Sequence, residues 1–231
     1  MLDRRQVLAM LGTTALATLA PSALFAAASI KPDDASALLV IDVQNCFLPG
    51  GSLAVKDGDK VVPVINALAR KFEHVVLTQD WHTPGHISFA SSHSGKKPFE
   101  TTDVAYGKQV LWPDHCVQGT RGAEFHEALA WTKAELVIRK GFRTAIDSYS
   151  AFFENDHTTP TGLGGYLKER GISEVTLCGL ATDFCVAFSA IDAVRHGLST
   201  TVILDACRGI DLGGSMAAMT DKMKAEGVRL A

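Results

Sequence analysis

Ala37-Leu38-Leu39-Val40-Ile41 runs straight into Asp42: five apolar residues closed by an acid. A strand with one wet face alternates apolar and polar residues, whereas an unbroken apolar run of this length reads as a strand buried on both faces. Similar runs return in His74-Val75-Val76-Leu77-Thr78, Glu135-Leu136-Val137-Ile138, Val175-Thr176-Leu177-Cys178 and Thr201-Val202-Ile203-Leu204. Between them lie amphipathic segments at residues 60–71, 164–170, 185–196 and 215–226. Strands that alternate with helices specify an α/β fold, a three-layer α/β/α arrangement around a central, mostly parallel sheet. Residues 227–230 supply a short edge strand, for about six in all. Residues 85–120 are loop-rich and too long for a plain connection, so they read as a functional excursion.

The N-terminus has a different character. Asp3-Arg4-Arg5-Gln6-Val7-Leu8 leads into an apolar run that ends near Ala20, followed by Pro21 and Ala26-Ala27-Ala28. A positive start, a short apolar centre and a small-residue cleavage site make an export signal, and the run is too short to span a bilayer. The paired arginines point to the twin-arginine route, although Asp3 and Val7 replace the usual Ser or Thr and Phe. Residues 1–28 are thus expected to be a signal peptide, and 29–231 a single periplasmic domain without stable membrane association after cleavage. An uncleaved anchor or a general secretion signal is the alternative. The formal net charge is −3, with no basic tract, which excludes nucleic acid and anionic membrane as natural partners. Five cysteines, none in a C-x-x-C pair, do not form a disulfide framework, and any pairing among Cys46, Cys116, Cys178 and Cys207 stays open.

Each expected strand is followed by a reactive group: Asp42, Asp80, Lys140, the loop to Cys185, and Asp205. One acid after a strand is commonly a turn or cap residue. Several at the carboxyl edge of a parallel sheet mark the place where such sheets bind ligands. Cys185 follows Thr182 and Asp183, either of which suits a helix N-cap, so it is expected in a first helical turn. There the dipole and free N–H groups would lower its pKa and hold an oxyanion. A lone cysteine is more often a small buried hydrophobe. A nucleophilic thiol also needs a base, and Asp42 with Lys140 can move its proton and stabilise the charged forms.

Asp80 and His82, in Gln79-Asp80-Trp81-His82, project to one side of an extended segment because the side-chain period is two. His115, in Trp112-Pro113-Asp114-His115-Cys116, can return from the long loop as a third ligand. Two histidines and a carboxylate with open positions describe a catalytic site for one divalent metal ion, zinc first, with iron or manganese as alternatives. His86 is a candidate fourth ligand or a support for the others.

Taken together, these stretches resemble the nicotinamidase/pyrazinamidase branch of the isochorismatase-like cysteine hydrolases. The match covers Asp42-Val43-Gln44-Asn45-Cys46-Phe47, Gln79 to His82 with His86-Ile87-Ser88-Phe89-Ala90, Trp112 to Cys116, Arg139-Lys140-Gly141, and Cys178 to Cys185. The resemblance implies Asp42, Lys140 and Cys185 as a triad, and Asp80, His82 and His115 as metal ligands. It implies a cis peptide between Leu180 and Ala181, with the N–H groups of Ala181 and Cys185 as an oxyanion hole. It implies Phe47, Trp112 and Tyr149 around the ring of a small-molecule substrate, nicotinamide, with pyrazinamide also accepted. Phe184 departs from the histidine some relatives carry there, and an exported N-terminus is atypical. The rival readings are a metal-free amidase of the same family and a non-catalytic periplasmic binder of metal or pyridine. A homo-oligomer is left open.

Overall fold

The computed structural model describes residues 31–231, so the signal segment expected at 1–28 lies outside the described residues. Strands are numbered in chain order: β1 (Ser36–Ile41), β2 (His74–Asp80), β3 (Thr101–Val104), β4 (Gly107–Val110), β5 (Leu136–Lys140), β6 (Glu174–Leu180), β7 (Ser199–Arg208) and β8 (Arg229–Leu230). Six of them form one sheet in the order β5-β2-β1-β6-β7-β8, with every neighbouring pair parallel. β1 is buried throughout, and β2 and β6 along all but their first residue, as their apolar runs require. The remaining two, β3 and β4, pair as an antiparallel hairpin inside the long excursion.

Two strands differ from the expectation. β5 alternates between half-buried or buried and exposed positions, with Val137 37 % exposed, because it is an edge with only one covered side. β7 does not stop before Asp205; it continues to Arg208, pairing with β6 on both sides of an irregularity between Leu177 and Gly179. Asp205 therefore sits inside a strand and takes no place at the sheet edge.

The helices are α1 (Val61–Ala69), α2 (Leu163–Glu169), α3 (Ala187–Arg195) and α4 (Ser215–Ala225). In α1 the buried Val61, Val62, Ile65, Leu68 and Ala69 recur at helical spacing and face the sheet. The chain runs from β1 through α1 to β2 and from β5 through α2, β6, α3, β7 and α4 to β8; the right-handed rule for crossovers between parallel strands then puts α1 on one face and α2, α3 and α4 on the other. The three layers are those expected. Since β2 and β5 lie to one side of β1 while β6, β7 and β8 lie to the other, the chain switches direction between β1 and β6. The crevice at the carboxyl ends of those two strands is where an open α/β sheet receives its ligand.

Candidate active site

Lys140, at the end of β5, is only 1 % exposed. A lysine so deeply buried needs partners, and it has several. Its Nζ lies 2.8 Å from Asp42 Oδ2, donates to Asp80 Oδ1, donates to the Ser148 carbonyl at 3.0 Å, and sits 3.3 Å from Cys185 Sγ. One ammonium thus gathers groups from the ends of β1, β2 and β6. Asp42, with a left-handed φ of 47°, is held further by Thr78, whose Oγ1 accepts the Asp42 N–H at 3.1 Å and donates to Asp42 Oδ1 at 2.6 Å.

The burial of these groups sets their proton affinities. Desolvation pushes the Asp42 carboxyl up to about 6, against the pull of Lys140. It also pushes the Cys185 thiol well up, again with Lys140 opposing. For Lys140 burial works the other way, but Asp42 and Asp80 overcome it and hold the ammonium protonated. Burial thus favours the protonated thiol, beside a carboxylate that the Lys140 ammonium helps to keep ionised.

The expectation that a helix start lowers the Cys185 pKa needs correcting. Residues Thr182–Val186 form a single π-type turn, α3 begins only at Ala187, and Ala181 occupies the cap with no side-chain bond. Burial outweighs any dipole there. Asp183 does not cap the turn either; its carboxylate accepts the N–H groups of Ile210 at 2.9 Å and Asp211 at 2.8 Å and the Ser215 hydroxyl. It ties the turn that carries Cys185 to the segment after β7. The Leu180–Ala181 peptide is cis, and Ala181 and Cys185 both line the pocket.

Beside these three residues, Asp80 Oδ2 lies 3.6 Å from His82 Nε2 and 3.7 Å from His115 Nε2. Ligands at ~2.1 Å from a shared tetrahedral ion stand roughly 3.4 Å apart, so the spacing fits. The distal nitrogens agree: His82 Nδ1 contacts the Gly141 carbonyl at 3.0 Å and His115 Nδ1 the Pro113 carbonyl at 2.8 Å. A carbonyl behind Nδ1 puts the proton there and leaves Nε2 as a lone-pair donor. Gly141 has to be glycine for this: its φ is +65°, and a Cβ would lie 2.4 Å from the His82 ring. Gln44 braces the carboxylate's backbone, its amide donating to the Asp80 carbonyl and accepting the Asp80 N–H, each at 2.8 Å.

Two other clusters bring potential ligands together, His82 with His86 and Asp147, and Asp42 with Asp80 and Cys185. The second is already bridged by the Lys140 ammonium. In the first, His86 spends both nitrogens on the protein, Nδ1 on Ser88 Oγ at 2.8 Å and Nε2 on the Arg143 and Ile146 carbonyls at 3.0 and 3.2 Å. That geometry makes His86 a brace for the loop after β5 and leaves the Asp80, His82 and His115 set to accept an ion.

Phe47, Trp112 and Tyr149 all line the same pocket. Trp112 Nε1 donates to the Tyr149 hydroxyl at 3.1 Å. Phe184 closes the wall edge-on to Trp112, with ring centroids 4.8 Å apart. Sequence reasoning missed Leu53, Asp147 and Ile210, which also line the pocket. It missed Thr78 as well, where a hydroxyl two residues before Asp80 on a buried strand was the available signal.

A profile of the isochorismatase domain matches residues 36–230. The chain belongs to the isochorismatase family. Within it, the chain is 56 % identical over 200 residues to the nicotinamidase of Acinetobacter baylyi, across 87 % of this chain and 94 % of that one. A solved nicotinamidase/pyrazinamidase of Acinetobacter baumanii superposes with a TM-score of 0.86 at 60 % identity, covering 87 % of this chain and 97 % of the other. A pyrazinamidase of Pyrococcus horikoshii, solved in complex with zinc, gives a TM-score of 0.69 at 34 % identity over 85 % and 98 % of the two chains. This isochorismatase-family protein lies on the nicotinamidase/pyrazinamidase branch and is an amidohydrolase.

Proposed function

We propose that the protein hydrolyses nicotinamide to nicotinate and ammonia, and pyrazinamide likewise, through a thioester on Cys185. The observation that carries the mechanism is the Lys140 ammonium, buried in contact with Asp42, Asp80 and Cys185. Asp42 takes the Cys185 proton, and the thiolate attacks the carboxamide carbon. The oxyanion is received by the N–H groups of Ala181 and Cys185. Asp42 returns the proton to the leaving amine, and ammonia departs. Asp42 then takes a proton from water, which adds to the thioester and releases the acid and the thiol. Asp80, His82 and His115 would hold a divalent ion, zinc by the choice of donors, which supplies a Lewis acid for the pyridine nitrogen and so orients the ring. The aromatic wall of Phe47, Trp112 and Tyr149 presents flat faces to that ring.

The test is ammonia release from nicotinamide before and after removal of metal by a chelator. Turnover that falls on chelation and returns with zinc supports the reading; full activity in metal-free protein would favour a metal-independent amidase. The same assay carries a pH prediction. Asp42 must be ionised to accept the thiol proton, and its pKa is raised to about 6. Consequently kcat/KM falls as pH drops through about 6 and recovers above it. A profile flat across that range removes Asp42 as the base.

The export reading rests on Arg4-Arg5 and the apolar run behind them, and it is supported by an intramolecular disulfide between Cys46 and Cys116. Such bonds persist in oxidising compartments and are uncommon in the cytosol. Residues 1–30 fused to a reporter are expected to carry it to the periplasm; a reporter retained in the cytosol ends the proposal.

A further inference from the structure

The Cys46–Cys116 bond lies outside the catalytic chemistry described above, yet it joins two segments that each carry a pocket residue. Cys46 precedes Phe47, in the short turn Asn45–Phe47 after β1, and Cys116 follows His115. The two Cα atoms are 5.6 Å apart, both residues are 1 % exposed, and the Phe47 and His115 rings meet edge-on with centroids 5.5 Å apart. Cys116 has a left-handed φ of 44°, which a non-glycine residue adopts only when its surroundings impose it. Its carbonyl accepts the His82 N–H at 3.1 Å, so the same residue also anchors the strand end bearing another ligand. On the outer side Cys46 forms part of the wall of a separate surface cleft of about 630 Å³, beside Asn45, Arg121 and Gly122. Cys46 thus borders that cleft while its neighbour Phe47 lines the substrate pocket.

We propose that the Cys46–Cys116 disulfide is a positioning cross-link, holding His115 against the ion and Phe47 against the substrate ring. The proposal rests on the metal and ring-pocket reading above. Without the bond, the turn after β1 and the loop after Trp112 keep non-covalent links such as Asn45 Nδ2 to the Arg121 carbonyl at 2.9 Å and the Phe47–His115 ring contact. His115 then loses its fixed approach while Cys185, Asp42 and Lys140 keep theirs.

The test compares the zinc-loaded parent with Cys46→Ala/Cys116→Ala. Denatured without reductant, the parent should expose three thiols of its five cysteines. Zinc released to a chromogenic chelator should then show retention weakened roughly 10- to 100-fold in the double variant, the usual effect of loosening a ligand's support. In the nicotinamide assay, re-saturated with zinc, KM should rise several-fold with kcat nearly unchanged, a split that general destabilisation would not produce. Should the variant fold poorly, the parent is treated with a trialkylphosphine. Water supplies the oxygen, the phosphine becomes its oxide, the S–S bond breaks, and each sulfur takes a proton; zinc release should accelerate as in the variant. Five free thiols in the parent, or zinc retention and KM matching the parent after loss of the bond, would overturn the proposal. Thiol count and zinc release do not require nicotinamide to be the substrate, so a failed amide assay counts against the substrate reading alone.

Discussion

Cys185→Ala is expected to lower ammonia release from nicotinamide by on the order of 10⁴-fold or more, because covalent catalysis loses its only attacking atom. The substitution removes one sulfur from a residue that is 6 % exposed and leaves the backbone of the turn intact. Its structural cost is small, about 1 kcal/mol for the space vacated. Asp80, His82 and His115 do not depend on the sulfur, so zinc content should equal that of the parent. The measurement is ammonia release alongside metal analysis on the same sample. A variant that keeps its zinc and hydrolyses at the parental rate disproves the thioester route, whereas one that loses both would show that the thiol helps build the site.

Lys140→Met should be the most damaging change to the fold as well as to the chemistry. Met matches the length of the lysine stem but leaves the buried carboxylates of Asp42 and Asp80 without the ammonium between them. Removing one partner of a buried ion pair costs about 3–5 kcal/mol, since the remaining charge is stranded away from water. For a domain of this size that lowers Tm by roughly 10 °C. The protein can relieve the strain by protonating a carboxyl, and Asp42, already raised to about 6, is the one to take the proton. The proposed base is then neutralised near pH 7, so catalysis should fail for a reason separate from stability. Thermal melts at about pH 5 and pH 8 check this: the loss of stability should shrink at the lower pH, where protonation is easy. An equal loss at both would mean that the carboxylates are not what the lysine supports.

Much of this arrangement was legible beforehand because burial and chemistry leave different marks. The apolar runs of β1, β2 and β6 could only be strands covered on both faces, and the acids that close β1 and β2 fall at the sheet's carboxyl edge. Asp42 and Asp80 were readable on that ground, and Lys140 from its place just after the run Glu135–Ile138. What escaped were features set by approach rather than by pattern. Asp205 looked like another strand-end acid because nothing local says that β7 continues through an irregularity to Arg208. Thr182 and Asp183 looked like helix caps, but the π-type turn sends the Asp183 carboxylate to Ile210 and Asp211 instead. The pairing of Cys46 with Cys116 spans 70 residues and depends on how the excursion folds back across the end of β1, which spacing alone does not encode.

The adjacency of β1 and β6 has a consequence for the life of the chain before it is an enzyme. Those strands pair in register from Ser36 with Glu174 to Ile41 with Gly179, across more than half of the polypeptide. Contacts so distant in sequence close late and slowly, because the intervening loop entropy is lost before the contact is gained. Until that pairing forms, Asp42 and Cys185 are strangers, and the cysteine is one ordinary thiol among five. Base and thiol meet only when that seam of the sheet closes, so the proposed proton transfer between them belongs to the finished fold alone.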